Sequence, residues 1–222
     1  MHYRSTPKPT SNPHLLRFVR HGATAVNLAG LRCGGDIDPP LTDTGRQQAA
    51  HTAAALLQRA PAPGLIVTSD LRRTRETATI LAAALGGLPV QVLPAWAERH
   101  LGIWNLQPIA DTQDALLAGH TPPGGESVTA FHQRIHQAVQ SLLPLLQQRP
   151  LLVGSKGVAR VLGQLCGLPT PLALDNGALW HFDLAALVRR APAGAGPVST
   201  NPVCTNPVCT NPVCTNPVWE TT

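Results

Sequence analysis

Short apolar segments alternate with helical ones along the chain, and this alternation constrains the fold more than any other feature. Strands are predicted at 14–19, 64–68, 90–93, 151–154 and 178–182. Helices are predicted between them at 43–58, 73–85, 109–117, 127–146 and 158–168. Alternation of this kind predicts an α/β fold in which a mostly parallel sheet is flanked by helices on both faces.

The predicted helices carry their own start and stop signals. Either Thr42 or Asp43 is a suitable N-cap for the helix over 43–58, because a short oxygen-bearing side chain accepts a bond from the first turn. The Gly86-Gly87 pair should end the helix over 73–85. Pro144 should kink or shorten the end of the helix over 127–146.

Both ends of the chain differ in composition from its middle. Residues 1–13 are rich in Pro, Ser and Thr, and 189–222 hold three TNPVC repeats followed by TNPVW. A proline in every five residues excludes a helix or a central strand, so we expect a flexible N-terminus, one domain over 14–188 and a disordered low-complexity tail over 189–222. The repeat explains the spacing of Cys204, Cys209 and Cys214 without a metal site.

The charge pattern excludes several classes of protein. Lys+Arg number 17 against 12 Asp+Glu, a net charge of +5, but these residues are dispersed and form no nucleic-acid-binding stripe. The uncharged stretch 77–97 contains two glycines and two prolines, which argues against a membrane span. No apolar signal segment precedes the domain, and five cysteines do not suggest a disulfide framework. We therefore expect a cytoplasmic protein.

Polar residues follow four of the predicted strands. They form the segments Arg20-His21-Gly22, Ser69 to Arg73, Glu98-Arg99-His100 and Ser155-Lys156-Gly157. Ligands of open parallel sheets bind beyond the carboxyl ends of the strands. Because cationic side chains predominate there, the sequence predicts a pocket for an anionic ligand such as a phosphate.

Six segments, in order along residues 14–184, resemble the motifs of the histidine phosphatase (phosphoglycerate mutase-like) superfamily. They are RHGATAVN at 20–27, DIDPPLTDTGRQQA at 36–49, SDLRRTRETA at 69–78, ERHLG at 98–102, PPGGES at 122–127 and DNGAL at 175–179. A lone RHG would be a weak signal, whereas six ordered motifs are a strong one. The resemblance implies the phosphoglycerate mutase-like α/β fold and a reaction on phosphate esters without cofactor or metal.

The resemblance implies roles for two residues in the chemical steps. His21 would be the nucleophile that takes the phosphoryl group, which requires a neutral imidazole with one nitrogen held by a hydrogen bond. Glu98 would protonate the leaving alcohol and then activate water. The alternatives are a histidine satisfied in the core and an ordinary solvated glutamate.

The resemblance also implies a phosphate-binding set. Arg20 and Arg73 would bind phosphate oxygens with paired guanidinium donors, and Thr24 and Asn27 would belong to the binding loop. A surface salt bridge with Glu76 is the competing interpretation of Arg73, although it suits Arg72 or Arg75 better.

One residue departs from the family pattern. Ser155 stands where the resemblance implies a second catalytic histidine, beside the aligned Lys156–Arg160 segment. Serine donates one hydrogen bond but carries no positive charge, and loss of one preorganised donor typically lowers the rate by about 10²–10³. Lys156 is an alternative source of charge.

Three functions therefore remain open. The first is a phosphomonoesterase that works through phosphohistidine on His21. The second, suggested by Ser155, is a catalytically impaired pseudophosphatase that binds phosphorylated ligands or a protein partner. The third, suggested by the ERHLG segment, is a phosphoglycerate-type mutase. The expected partner is a small phosphorylated substrate, not nucleic acid or membrane. The region 105–126 would select among sugar phosphates, phosphoglycerate and phosphorylated ribazole.

Overall fold

A five-stranded sheet forms the centre of the molecule. The computed structural model describes residues 12–59, 61–169 and 174–190. The strands are β1 Leu15–Arg20, β2 Leu65–Thr68, β3 Val90–Val92, β4 Pro150–Gly154 and β5 Leu179–Asp183. Their spatial order is β3-β2-β4-β1-β5, and only β5 is antiparallel to its neighbour. The mostly parallel sheet predicted from the alternation is confirmed.

Helices connect the strands at nearly all the predicted positions. Their bounds are α1 Ala25–Leu28, α2 Asp43–Leu57, α3 Arg72–Ala84, α4 Ile109–Leu117, α5 Val128–Leu142, α6 Lys156–Leu165 and α7 Ala185–Arg190. Short 3₁₀ turns cover Pro94–Trp96, Gly102–Trp104 and Leu143–Gln148. The sequence does not predict α1 and α7, because four and six residues are too few to show a helical period.

The helix ends follow the local chemistry. Thr42, not Asp43, is the N-cap of α2, since its hydroxyl accepts a hydrogen bond from the Gly45 amide at 3.1 Å. Gly86 follows α3 with φ of +88°, as expected of a terminating glycine. Pro144 ends the α-helical part of α5, and the chain continues as the 3₁₀ turn. The predicted start of α6 at Val158 was wrong, because the helix begins at Lys156.

Side chains of alternating strand positions pack in two layers. On one face, Leu16, Phe18 and Leu152 pack with residues of α5, α6 and α7. On the other, Val19 and Val153 pack with residues of α2 and α3. Helices therefore cover both faces of the sheet, as predicted. The strand β4 is buried along its length, and β1 is buried at all but its two end residues.

The middle of the sheet brings the first and fourth strand ends together. Arg20 lies opposite Gly154 in the β1–β4 register, and the His21 amide donates to the Gly154 carbonyl at 2.9 Å. Residues directly after β1 and β4 are consequently neighbours. In the part of the chain that the structure describes, no helix combines the length and apolar character needed to cross a bilayer. The predicted flexible ends and the repeat cysteines lie almost wholly outside the described residues.

Candidate active site

A cavity of about 400 Å³ lies beside the carboxyl ends of β1 and β4. Four of the predicted catalytic and phosphate-binding residues line it, namely Arg20, His21, Asn27 and Glu98, and so does Lys156. Thr24, Arg73 and Ser155 are buried and are not among the residues of its wall. Three of the four strand-end segments predicted to converge contribute residues to its wall, whereas the Ser69 to Arg73 segment contributes none.

His21 is held in one orientation at the inner part of this site. Its side chain is 3% exposed, and Nδ1 lies 2.8 Å from the Gly22 carbonyl oxygen. Because a carbonyl only accepts, Nδ1 carries the proton and Nε2 keeps its lone pair. Burial, followed by the charges of Arg73 and Arg20, lowers the pKa of His21 well below 6.5. The imidazole is therefore neutral, as a nucleophile requires.

Gly22 explains why the loop after β1 is so close to α2. A Cβ atom on Gly22 would lie 2.9 Å from the Gly45 Cα and nearer still to the Gly45 carbonyl. The neighbouring Ala23 amide donates to Gln48 Oε1 at 2.8 Å. Only glycine permits this approach, so the backbone carbonyl that orients His21 is fixed by packing on the first turns of α2.

Arg20 and Arg73 place two positive charges near His21 without ion pairs. Arg73 is fully buried and donates to the carbonyls of Ile37 and Gly34 at 2.9 and 3.0 Å, whereas Arg20 donates to Leu174 at 2.7 Å. Within the described ranges, neither has a carboxylate within 4.0 Å, and the Nε of each is buried without a partner. Buried charges are normally compensated, so this arrangement favours an anion beside His21.

The salt bridge considered for Arg73 belongs instead to its neighbour. Arg72 Nε lies 2.6 Å from Glu76 Oε1, and the Arg72 side chain is exposed. Of these two consecutive residues at the start of α3, Arg72 forms the surface salt bridge, whereas Arg73 is directed into the core near His21.

Glu98 is positioned by backbone donors from two segments. The Arg99 amide donates to Oε1 at 2.7 Å, and the Gly157 amide in the first turn of α6 donates to Oε2 at 2.8 Å. A Cβ atom on Gly157 would lie 2.7 Å from Glu98 Cδ and closer still to Oε1. Arg134 further fixes the preceding backbone by donating to the carbonyl of Ala97 at 2.9 Å.

Thr24 and Asn27 form a capping box around the short helix α1. The Asn27 amide donates to Thr24 Oγ1, and the Thr24 amide donates to Asn27 Oδ1, each at 3.2 Å. Asn176 Nδ2 lies 3.4 Å from the same Oδ1 and donates to the His21 carbonyl at 3.0 Å. These bonds turn the Asn27 amide oxygen into the protein and leave its Nδ2 group as a donor at the cavity.

Ser155 directly follows β4 as the N-cap of α6. It is 2% exposed, makes no capping bond through its side chain, and its Oγ is buried without a partner. A buried hydroxyl without a hydrogen bond is unfavourable. The register of β4 with β1 places this position next to His21.

Sequence reasoning missed several polar residues of the cavity wall. Arg32 and His132 come from segments without a family motif, Arg160 comes from α6, and Asn176 donates to the His21 carbonyl from behind the loop. Lys156, which the sequence offered as an alternative source of charge, also lines the cavity. Asn176 lies within the DNGAL segment, so its motif was the only available signal. Among the described residues, no cluster of three or more metal-ligating side chains occurs.

Comparison with known proteins establishes the superfamily to which this fold belongs. The model of the histidine phosphatase superfamily (branch 1) matches residues 16–198, and the chain belongs to this superfamily. The resemblance inferred from the six motifs is thereby confirmed.

Individual relatives include both mutases and phosphatases. A probable phosphoglycerate mutase, GpmB, from Salmonella newport is 37% identical over 172 residues, which cover 68% of this chain and 74% of the relative. A mycobacterial glucosyl-3-phosphoglycerate phosphatase, solved with VO3, is 31% identical with a TM-score of 0.65, over 76% of this chain and 90% of that one. A putative alpha-ribazole-5'-P phosphatase from Escherichia coli K-12 is 29% identical with a TM-score of 0.63, over 75% and 88%.

Because His21 is neutral in the folded protein, we expect the free energy of unfolding to depend on pH. The unfolded chain takes up a proton near pH 6.5, whereas the folded chain resists it, so stability falls as the pH decreases below that value. Between pH 7.5 and 5.5, the parent should lose about 1.4 kcal/mol more of unfolding free energy than His21→Gln. Denaturant titrations of both proteins at the two pH values measure this difference. Equal losses would show that His21 protonates in the fold.

Proposed function

We propose that the chain hydrolyses phosphomonoesters through a phosphohistidine intermediate on His21. The observation that carries the proposal is a buried neutral histidine with a fixed Nδ1 proton, beside two arginines that lack ion pairs. Its Nε2 lone pair supplies the nucleophile, and the arginines supply charge for the phosphate oxygens. The names of the phosphatases among its relatives support the same class of reaction.

The first step of the proposed reaction forms the phosphoenzyme. His21 Nε2 attacks phosphorus, a P–N bond forms, and the P–O bond to the alcohol breaks. The carboxyl group of Glu98 gives its proton to the departing alkoxide oxygen. Arg20 and Arg73 compensate the phosphate charge near the histidine, where burial makes electrostatic interactions stronger than in water.

The second step returns the free protein. Glu98, now a carboxylate, takes a proton from a water molecule whose oxygen attacks phosphorus. The P–N bond breaks, inorganic phosphate leaves, and His21 is again neutral. The backbone amides of Arg99 and Gly157 hold the Glu98 carboxyl group in place through both steps.

Incubation with 4-nitrophenyl phosphate tests the proposal. We expect release of nitrophenol and inorganic phosphate in equal amounts, together with a phosphoryl adduct on the His21 peptide after quenching at alkaline pH, where phosphohistidine survives. Free phosphate distinguishes hydrolysis from transfer to a second hydroxyl, as a mutase would perform. Phosphate release without an adduct at His21 would contradict the proposed intermediate.

The buried Ser155 hydroxyl favours a second candidate, a pseudophosphatase that binds phosphorylated ligands or a protein partner without turnover. Its Oγ has no partner in the described part of the chain, and serine supplies no charge to a transferring phosphoryl group. A chain that binds phosphate but releases no alcohol from a panel of phosphoesters would support this candidate over hydrolysis.

Gly157 is predicted to be essential for the position of Glu98. In Gly157→Ala, the new methyl group would overlap the Glu98 carboxyl group, and removal of a positioned acid–base group lowers the rate by about 10²-fold or more. We expect Gly157→Ala and Glu98→Gln to lose hydrolysis to similar extents while their melting temperatures stay near that of the parent. Full activity in Gly157→Ala would show that the carboxyl group acts from another position.

A further inference from the structure

Four basic side chains that are far apart in the sequence meet near the amino ends of the parallel strands. They are Arg17 of β1, Arg59 after α2, Arg149 before β4 and His181 of β5, and together they are called the amino-end cluster below. None of them lines the cavity of the candidate active site. The strand β4 separates Arg149 from Ser155, a rise of about 20 Å, so the cluster and the cavity lie at opposite ends of the sheet.

Two arginines of the amino-end cluster bind consecutive carbonyl groups of the loop before β2. Arg17 Nη2 donates to the Pro61 carbonyl at 2.7 Å, and Arg149 Nε donates to the Ala62 carbonyl at 2.8 Å. Because successive residues lie about 3.8 Å apart along the chain, these bonds bring the two guanidinium groups close together. Burial, followed by the charge of Arg149, lowers the pKa of Arg17.

Strand pairing places His181 beside Arg17. The two residues are directly opposite each other in the antiparallel β1–β5 pair, so their side chains project from the same face of the sheet with Cβ atoms about 5 Å apart. Burial, followed by the charges of Arg17 and Arg59, lowers the pKa of His181. Arg59 comes two residues before Pro61, so the loop that the two arginines bind also carries the fourth member of the cluster.

No carboxylate of the described ranges compensates the amino-end cluster. None of its members has a carboxylate oxygen within 4.0 Å, although Arg17 is only 8% exposed. Asp183, two residues beyond His181, already accepts from the Asn12 side chain at 3.0 Å and from the Ala185 amide at 2.8 Å. The partial negative charge at the C-terminus of α2 does not balance three arginines. Since buried charges are normally paired, the arrangement favours a bound anion.

We propose that the amino-end cluster binds an anion with linked phosphate groups, such as pyrophosphate, at a site separate from the active-site cavity. Guanidinium groups match pairs of phosphate oxygens, and a single phosphate monoester, with about two negative charges, leaves one of the three arginines unbalanced. The carbonyl bond and the burial of Arg17 fix its guanidinium, which reduces the entropy lost on binding. The inference goes beyond the proposed function and does not depend on hydrolysis.

Titration of the full chain with pyrophosphate, followed by NMR of the histidine rings, tests the proposal. His181 reports the proposed site and His132 reports the cavity, whose wall it lines, and substitution of each by Gln assigns its signals. At constant ionic strength we expect a saturable shift of the His181 signals. The Kd for pyrophosphate should be about tenfold or more below that for inorganic phosphate, because one further charge-assisted contact contributes about that factor. A lower Kd for ADP than for pyrophosphate would indicate a nucleotide as the source of the linked phosphates, and an equal or higher Kd would indicate an inorganic polyphosphate.

Single-charge variants locate the proposed site. Arg59→Gln and Arg149→Gln change exposed residues, and each should raise the Kd measured at His181 by about three- to tenfold. Arg75→Gln removes the same charge from an exposed position on α3 and should leave this Kd unchanged. Melting temperatures near the parent value establish that the variants fold.

The outcomes separate this inference from the proposed function. Shifts of the His132 signals alone would place pyrophosphate in the cavity and overturn the inference. A His181 shift that grows in proportion to the pyrophosphate concentration without saturating overturns it, and so does an unchanged Kd in both Arg59→Gln and Arg149→Gln. Hydrolysis of phosphoesters is measured independently, so none of these results bears on the phosphohistidine mechanism.

Discussion

His21→Ala should reduce kcat for 4-nitrophenyl phosphate by about 10⁴-fold or more, because loss of a nucleophile removes the covalent route altogether. The Ser155 hydroxyl is a poor substitute for the Nε2 lone pair, since it is buried with no hydrogen-bond partner among the described residues. Initial rates at saturating substrate measure the effect, and the phosphoryl adduct should disappear with the activity.

A second histidine provides the matched control for His21→Ala. His51 is exposed on α2, so His51→Ala removes an imidazole without touching the cavity, and it should hydrolyse at the parent rate. The proposed nucleophile would be wrong if His21→Ala kept a substantial fraction of the parent activity while remaining folded.

Ser155→His should raise kcat by about 10²-fold, which is the usual contribution of one preorganised donor to a charged transition state. Position 155 follows β4 and is adjacent to His21, whose amide is bonded to the Gly154 carbonyl. An imidazolium there would add a charged donor for the phosphoryl oxygens, in a place where the serine hydroxyl has no partner. Steady-state kinetics on the same aryl phosphate measures the gain.

Size and charge need separate controls at this buried position. Ser155→Asn adds comparable bulk without a positive charge, and it should remain within a few-fold of the parent. Because overpacking a well-packed site destabilises a fold, thermal melts accompany both variants. A well-folded Ser155→His that is no faster than the parent would show that the missing histidine is not what limits the reaction.

Sequence patterns were sufficient for the order of the strands and of the five longer helices, because helical and strand periods are local properties. They did not give the direction of β5, which depends on its pairing with β1 and not on its own residues. The start of α6 was placed two residues late, since Ser155 caps the helix through its backbone geometry without a side-chain bond. The helix propensities of the residues around Ser155 do not indicate that the helix begins at Lys156.

In the candidate site, too, some residues can be found from sequence motifs and others only from the folded structure. His21, Arg20 and Glu98 stand out because they occupy strand ends within ordered motifs. The burial of Arg73 and the exposure of Arg72 depend on which side of α3 faces the sheet. Arg32 belongs to no motif, and its position at the cavity follows only from the packing of the loop after α1 on α4. Long-range packing therefore decides which arginines reach the cavity.

The strand order has a consequence for synthesis of the protein on the ribosome. The first strand made, β1, lies between two that are made much later, since Arg17 pairs with Leu151 on one side and His181 on the other. A nascent chain therefore carries the His21 segment with both of its strand edges open, and such long-range pairing folds slowly. Assembly of the pocket waits for β4 and α6, whose residues complete its wall, and a chain truncated before β4 lacks the Gly154 carbonyl that accepts the His21 amide.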